Sequence, residues 1–185
     1  MPDLAGTKTA YFGFTGLIDS GGVSRLCGAL NLAANNSYDE VYLCMNSLGG
    51  YVGDGIYLYN HIRAMPLKVI AHNTGSICSI AVAAFVAATE RRCSDHSTFM
   101  IHPTSMVGQN EGMSWERLQS SLNAALADDQ RTENILRERT SLPDEMLSAR
   151  RVRDVYITPQ DALKFGIVHS IAEFTLPRGN EIIQI

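Results

Sequence analysis

Apolar residues in the first half of this chain fall into strand-length segments joined by stretches with helix-like spacing. The segments at residues 10–14, 41–45 and 67–71 predict strands, and the second is apolar throughout, as in a strand covered on both faces. Helical spacing follows each of the first two segments, at Val23, Leu26, Cys27 and Leu30 and then at Ile56, Tyr59 and Ile62. Strands and helices that alternate through short connections predict an α/β layered fold.

The second half continues the alternation but contains one much longer helix. We expect a polar turn at residues 90–96, a strand at 98–101 that ends on His102, and a helix from Ser114 to about Thr140. A short helix follows Pro143, another begins at Thr158-Pro159 and ends at Gly166, and a closing strand covers residues 167–172. The tail, residues 174–185, is weakly specified.

The long helix carries a narrow apolar stripe on an otherwise polar surface. The stripe consists of Trp115, Leu118, Leu122 and Ala125, and the later half of the helix is strongly charged. A stripe this narrow is typical of a helix that packs on a partner subunit rather than on its own core. The pattern therefore predicts a homo-oligomer.

Residues 75–88 begin at a glycine and continue as small and apolar residues without a charge. A helix that is apolar on every side is expected to be buried, and the glycine predicts a turn before it. Ser79 then has two interpretations. It is an N-cap whose hydroxyl satisfies free backbone donors, or it is a nucleophile that faces the positive end of the helix dipole.

The composition of the chain argues against several classes of protein. A chain of 185 residues is long enough for one domain with its own core, and a net charge of −4 gives no basic field for nucleic acid. Four scattered cysteines, without a Cys-x-x-Cys pair, favour a reducing compartment. No segment has the features of a signal peptide or a membrane span, so we expect a cytoplasmic protein. The histidines lack metal-ligand spacing, and we expect neither a metal nor a cofactor.

Catalysis by serine requires a base, a group that orients the base, and donors for an oxyanion. Gly49-Gly50 follows a predicted strand, the N–H of Ile80 directly follows Ser79, and His102 ends another strand. Each of these features alone is more often structural than catalytic. The chain also lacks a Gly-x-Ser-x-Gly motif, which argues against an α/β-hydrolase.

Together these segments resemble the proteolytic subunit of the Clp protease (ClpP). The resemblance rests on four segments that occur in the family's order, namely residues 46–50 (NSLGG), 75–80 (GSICSI), 100–102 (MIH) and 153–168 (RDVYITPQDALKFGIV). It extends from Tyr11 to about Ile171. It implies a ClpP/crotonase-type spiral of ββα units in a single peptidase domain, residues 1–185, with a long projecting handle helix at about 114–140.

The resemblance also implies roles for individual residues. Ser79 corresponds to the nucleophile, His102 to the general base and Asp154 to the residue that orients it, while Gly50 and Ile80 supply oxyanion-hole N–H groups. Without the resemblance, Asp154 could equally form an ion pair with a neighbouring arginine. The implied function is a serine endopeptidase that acts on extended or unfolded polypeptides, as a heptameric ring or two stacked rings.

The chain departs from the family pattern in several places. Leu48 replaces the usual proline of the glycine loop, and residues 104–112 lack the usual glycine pattern of the segment that clasps substrate. Only about ten residues precede the first strand, so a Clp ATPase partner is doubtful and we expect cleavage of unfolded peptides without ATP. Two alternatives stay open, a catalytically inactive ClpP-like ring subunit and a crotonase-type acyl-CoA enzyme.

Overall fold

A computed structural model of the chain describes residues 6–105 and 112–185. The expectation about a substrate clasp at residues 104–112 falls mostly outside this part of the chain. The segment before the first strand, which bears on the ATPase partner, is described only from Gly6 onward. Among the helices of the described residues, none is both long enough and apolar enough to cross a membrane.

Strands and helices alternate through the first half of the chain, as predicted. In order they are β1 (Thr9–Thr15), α1 (Ser20–Asn35), β2 (Glu40–Ser47), α2 (Val52–Ala64), β3 (Lys68–Cys78), α3 (Ile80–Phe85), β4 (Glu90–Cys93) and β5 (Thr98–Ile101). The second half adds α4 (Trp115–Arg139), α5 (Asp144–Ala149), β6 (Val155–Ile157), α6 (Pro159–Lys164), β7 (Ser170–Ile171) and β8 (Ile183–Gln184).

The strands form one sheet that branches at β3. Six strands follow the order β6-β5-β3-β2-β1-β8, and β4 and β7 extend from β3 on a separate branch. The first part of β3 pairs with β4 (Ile70 with Glu90), whereas its last part pairs with β5 (Cys78 with Met100). Among the strands of the described residues, only the β5–β6 pair is antiparallel. The long strand β3 therefore joins two branches of the sheet and ends directly before Ser79.

The predicted turn at Gly75 is wrong, because β3 continues through it to Cys78. Gly75 is required by a close approach rather than by a turn, since a Cβ there would lie 2.8 Å from the Asn46 side-chain oxygen. The same oxygen accepts the Ser76 N–H at 3.0 Å. A bulge between Met45 and Ser47 lets the longer β3 stay paired with β2. The serine therefore follows a strand rather than a turn.

The apolar run after Ser79 is buried, as predicted, although only its first six residues form the helix α3. Every residue from Ile80 to Ala88 is at most 2% exposed. The Phe85 ring packs edge-on against Phe99 of β5, with ring centroids 5.4 Å apart. The helix that follows Ser79 and the strand that leads to His102 thus pack against each other in the core.

Two other boundaries differ from the predictions. The expected polar turn at residues 90–96 contains strand β4, because Arg91 and Cys93 face the interior while their neighbours are more exposed. Arg91 Nη1 donates there to the carbonyls of Val86 and Arg139. The expected closing strand at residues 167–172 is reduced to β7, and the weakly specified tail contributes β8, which pairs with β1.

Helix α4 lies within one residue of the expected range at each end, and Ser114 caps it by accepting the Arg117 N–H at 3.4 Å. Only the C-terminal half packs on the core, through Ile135 and Leu136. The large apolar residues of the first half are exposed to solvent. They are Trp115, Leu118 and Leu122 of the predicted stripe and also Leu126, whereas Ala125 of the stripe is half-buried. The stripe thus has no covering partner within the described part of one chain.

Candidate active site

Ser79 occupies the turn between β3 and α3 with a backbone conformation that side chains rarely adopt. Its φ is 58° and its ψ is −133°. The turn is held by the Ser79 N–H, which donates to Met100 O at 2.7 Å, and by the Ser79 carbonyl, which accepts from Val82 N at 3.1 Å. Such strain, roughly 1–3 kcal/mol per residue, is most often found at functional sites.

The hydroxyl of Ser79 makes no capping hydrogen bond to α3, although the residue stands at the N-cap position. The structure therefore does not support the interpretation of Ser79 as an N-cap. The remaining interpretation, a serine presented for chemistry, agrees with the strained turn.

The Gly49-Gly50 loop follows β2 and contacts this turn directly. Gly49 has a φ of 99°, and a Cβ there would lie 2.6 Å from Ser79 Cβ and 2.9 Å from the Cys78 carbonyl oxygen. A Cβ on Gly50 would overlap the backbone of Ile18. The loop is fixed to Ile18, whose N–H donates to Gly49 O and whose carbonyl accepts from Tyr51 N, both at 2.8 Å. Glycine at both positions allows the loop backbone to reach the serine.

Two backbone N–H groups beside Ser79 remain available. Among the hydrogen bonds of the described residues, neither the Gly50 N–H nor the Ile80 N–H acts as a donor. The Ile80 N–H is free because the first N–H groups of a helix have no partner within it. The two groups line one cavity together with Ser79.

His102 directly follows β5 and Asp154 directly precedes β6, and these two strands form the only antiparallel pair in the described sheet. Phe99, Met100 and Ile101 of β5 pair with Ile157, Tyr156 and Val155 of β6. The next pair in this register is His102 with Asp154. Directly opposite residues of an antiparallel pair have Cβ atoms roughly 4.5–5.5 Å apart and project to the same face. Extended by one residue, the register therefore predicts that the Asp154 carboxylate lies near the imidazole.

The cavity at Ser79 has a volume of about 50 Å³ and contains four of the five predicted site residues. Its lining comprises Gly50, Val52, Ser79, Ile80, Ile101, His102, Thr104, Ser105, Asp129, Thr132, Leu136 and Arg150. Asp154 is exposed and does not line it. No hydrogen bond among the described residues joins the side chains of Ser79, His102 and Asp154. Catalytic hydrogen bonds often become short only when substrate is bound.

The negative charge of Asp154 acts on Cys78, the residue before Ser79. The pKa of the Cys78 thiol is raised, first by burial and then by the negative charge of Asp154. Cys78 and Ser76 belong to strand β3 rather than to the helix that begins after Ser79.

Sequence reasoning missed the residues that form the wall of the cavity on α4 and α5. The arginines at positions 150, 151 and 153 predict an ion-pairing surface, but Arg150 is only 1% exposed. Its Nη1 donates to the His102 carbonyl at 3.0 Å, and Asp129 Oδ1 accepts the Thr104 N–H at 2.8 Å. The only signal in the sequence is a pair of acids four residues apart, at positions 129 and 133, together with two adjacent arginines.

The second of these acids forms a buried ion-pair cluster beside the cavity wall. The Glu133 carboxylate is bound by Arg151, with distances of 2.9–3.0 Å, and by Arg137 Nε at 3.0 Å. Burial would raise the pKa of Glu133, but the hydrogen bonds and charges of the two arginines outweigh it and the pKa is lowered. Arg151 therefore joins α4 to the segment after α5.

Two histidines outside this region, His72 and His169, have structural partners. His72 lies in the middle of β3, and it contacts Tyr42 Oη at 2.6 Å and Ser94 Oγ at 3.2 Å. Burial lowers its pKa to about 4, which keeps the ring neutral near pH 7. The described residues contain no group of three or more side chains suited to hold a metal ion.

The family model described as Clp protease matches residues 14–175. The chain belongs to the Clp protease family. It is 30% identical over 169 residues to the ATP-dependent Clp protease proteolytic subunit 2 of Pseudomonas aeruginosa, covering 88% of this chain and 83% of that one. The proteolytic subunit 3 of Rhizobium meliloti is 27% identical over 149 residues, covering 80% and 75%.

A solved structure of a point mutant of ClpP1 from Listeria monocytogenes shares the fold, with a TM-score of 0.78 and 22% identity over 91% of this chain and 92% of that one. The predicted resemblance to ClpP and the predicted fold are therefore confirmed. The Clp protease family is a family of peptidases. Both relatives are named as proteolytic subunits of an ATP-dependent protease. From the sequence of this chain, an ATPase partner is doubtful because the segment before β1 is short.

Proposed function

We propose that the chain is a serine endopeptidase that cleaves extended or unfolded polypeptides through an acyl-enzyme at Ser79. The observation that carries the proposal is the strained turn at Ser79, which shares a cavity with His102 and with two N–H groups that have no partner among the described residues. A structural serine requires none of these neighbours.

In the first half of the reaction, Ser79 Oγ attacks the carbonyl carbon of the scissile peptide bond while His102 accepts the hydroxyl proton. The N–H groups of Gly50 and Ile80 donate to the oxyanion of the tetrahedral intermediate. His102 then gives the proton to the leaving amine, the C–N bond breaks, and the acyl group remains on Ser79.

In the second half, His102 takes a proton from water, and the resulting hydroxide attacks the acyl carbon. The proton returns to Ser79 Oγ as the carboxylic acid product leaves. Asp154, opposite His102 in the β5–β6 register, orients the imidazole and stabilises its protonated form. The substrate lies as an added strand beside the Gly49-Gly50 loop, since backbone hydrogen bonds then hold it independently of its sequence.

A fluorophosphonate probe tests this function, because it reacts with an activated serine and the adduct can be located by mass spectrometry. We expect labelling of Ser79 together with hydrolysis of unfolded peptides. Ser105 lines the same cavity, so the Ser105→Ala variant is a matched control that should still be labelled. Absence of both labelling and hydrolysis in a correctly assembled protein would favour the inactive ring subunit instead.

We further propose that the chain assembles as a homo-oligomeric ring, either one heptamer or two stacked heptamers, partly through α4. Trp115 is 71% exposed, Leu118 50%, Leu122 46% and Leu126 58%. Contiguous apolar side chains at this level of exposure are typical of a surface that a partner covers. Because the chain belongs to the Clp protease family, we take other copies of the same chain as the partner that covers this surface.

Replacing both Leu118 and Leu122 with glutamate is expected to split the assembly, because charges would be buried without partners. The double variant Gln119→Glu with Asn123→Glu is the control. It adds the same charge to the same turns of α4, at two polar residues that hydrogen-bond each other at 3.0 Å. Sedimentation velocity should show a smaller species only for the leucine variant. A monomeric unmodified protein would contradict the proposal.

A further inference from the structure

Arg150, which directly follows α5, has a buried guanidinium that connects three segments of the chain. Its Nη1 donates to the His102 carbonyl at 3.0 Å, and its Nη2 donates to the Asp129 carbonyl of α4 at 2.9 Å. The two carbonyls belong to segments that are far apart in the sequence. A single side chain thus fastens the residue proposed as general base to the long helix.

The Asp129 carboxylate completes the link from the opposite side. Its Oδ1 lies 3.6 Å from Arg150 Nη1, and it accepts both the N–H and the hydroxyl of Thr104, at 2.8 and 2.9 Å. His102 and Thr104 flank Pro103, which has no N–H to donate to a strand ladder. The backbone on both sides of the proline is therefore held by the Arg150–Asp129 pair.

Stability alone gives a weak reason for this pair. A buried ion pair contributes little compared with apolar side chains of similar volume, because both charges must be removed from water. Arg150 also has a buried Nε without a hydrogen-bond partner among the described residues. An apolar residue could fill the same space, but only a planar guanidinium donates at once to two carbonyls and approaches the carboxylate.

We propose that Arg150, together with Asp129, is a positioning residue that holds His102 at the correct distance from Ser79. The proposal rests on the proposed peptidase function. Arg150 acts through the backbone of His102 and touches no reacting atom. A displacement of a catalytic group by about 1 Å can lower the rate roughly 100-fold. Loosening the carbonyl of His102 would therefore reduce turnover more than substrate binding.

The test compares Arg150→Lys, Arg150→Gln and Asp129→Asn with the control Arg151→Gln. Arg151 is the adjacent residue and also links to α4, through Glu133, but it does not contact His102. With a fluorogenic peptide, we expect kcat to fall about 10- to 100-fold in the Arg150 variants while KM changes less than about threefold. Asp129→Asn keeps an acceptor for Thr104 and should show a smaller fall. The control should keep the kcat of the unmodified protein.

Hydrogen exchange provides a readout that does not depend on activity. The Thr104 amide should exchange faster in Arg150→Lys and Asp129→Asn than in Arg151→Gln, as measured on peptides that cover residues 98–105. If Arg150→Gln does not fold, Arg150→Lys and Asp129→Asn decide the question. Unchanged kcat and exchange in these two variants would overturn the positioning role while leaving the peptidase proposal intact.

Other outcomes are equally decisive. An equal fall of kcat in the Arg150 variants and in Arg151→Gln would indicate a general structural role and contradict the proposal. A raised KM at constant kcat would place Arg150 in substrate binding instead, which also contradicts it. An unmodified protein without hydrolysis or probe labelling would refute the peptidase function itself, whereas the exchange result would still report whether Arg150 fixes this segment.

Discussion

Ser79→Ala is expected to abolish peptide hydrolysis while the fold and the assembly remain intact. Alanine lacks the Oγ that attacks the carbonyl carbon, and loss of a triad serine typically costs roughly 10⁴- to 10⁶-fold in kcat. The backbone hydrogen bonds of the turn, to Met100 and Val82, do not involve the hydroxyl and should persist. Alanine also keeps the Cβ that contacts the Gly49 loop.

The measurement is hydrolysis of fluorogenic peptides, combined with sedimentation velocity and thermal unfolding of the same preparations. Ser76→Ala is a suitable control, because Ser76 lies on β3 three residues before Ser79 and outside the cavity lining. It should retain activity. Turnover near that of the unmodified protein in Ser79→Ala would end the peptidase proposal.

The architecture around the site was largely predictable, because it depends on local patterns. The helical period and the capping serine predict α4 closely, and its unusual apolar stripe is exposed as the pattern indicated. Strands β1, β2 and β5 follow from strand-length apolar segments. These signals reside in consecutive residues, so no knowledge of distant contacts is required.

The junction at Ser79 was only partly predictable. Gly75 is a turn signal in most sequences, and a run of small apolar residues fits either a buried strand or a buried helix. What decides between them is the side chain of Asn46, whose oxygen occupies the space beside Gly75 and accepts the Ser76 N–H. That contact spans about thirty residues and has no local signature. The strained conformation of Ser79 likewise appears only in the structure.

Charged residues misled the sequence interpretation in two places. Arg91 and Arg150 stand in polar stretches that predict a turn or a surface, yet both are buried and bound to backbone carbonyls. Periodicity treats a charged residue as exposed, whereas a guanidinium can be buried where acceptors surround it. The proposed role of Asp154 came only from the resemblance, and its location opposite His102 depends on the β5–β6 register.

Gly49→Ala is expected to damage the site through the shape of the backbone rather than through the loss of a reacting group. The new Cβ would lie 2.6 Å from Ser79 Cβ, 2.9 Å from the Cys78 carbonyl oxygen and 3.2 Å from Ser79 Oγ. The Cys78 backbone cannot give way easily, because β3 is paired with β5 at this residue. The loop and the serine must therefore separate, and the φ of 99° adds strain of roughly 1–3 kcal/mol.

The separation moves the nucleophile and the Gly50 N–H apart. Losing one oxyanion donor costs roughly 10²- to 10³-fold in kcat, and we expect a fall of that size for Gly49→Ala. Gly53→Ala is the matched control, because nothing lies within 4 Å of its Cβ position in α2, and alanine there should stabilise the helix by up to about 1 kcal/mol. Peptide hydrolysis and thermal unfolding of both variants provide the comparison. A Gly49→Ala variant with unchanged kcat would show that the contact between the loop and Ser79 does not shape the reaction.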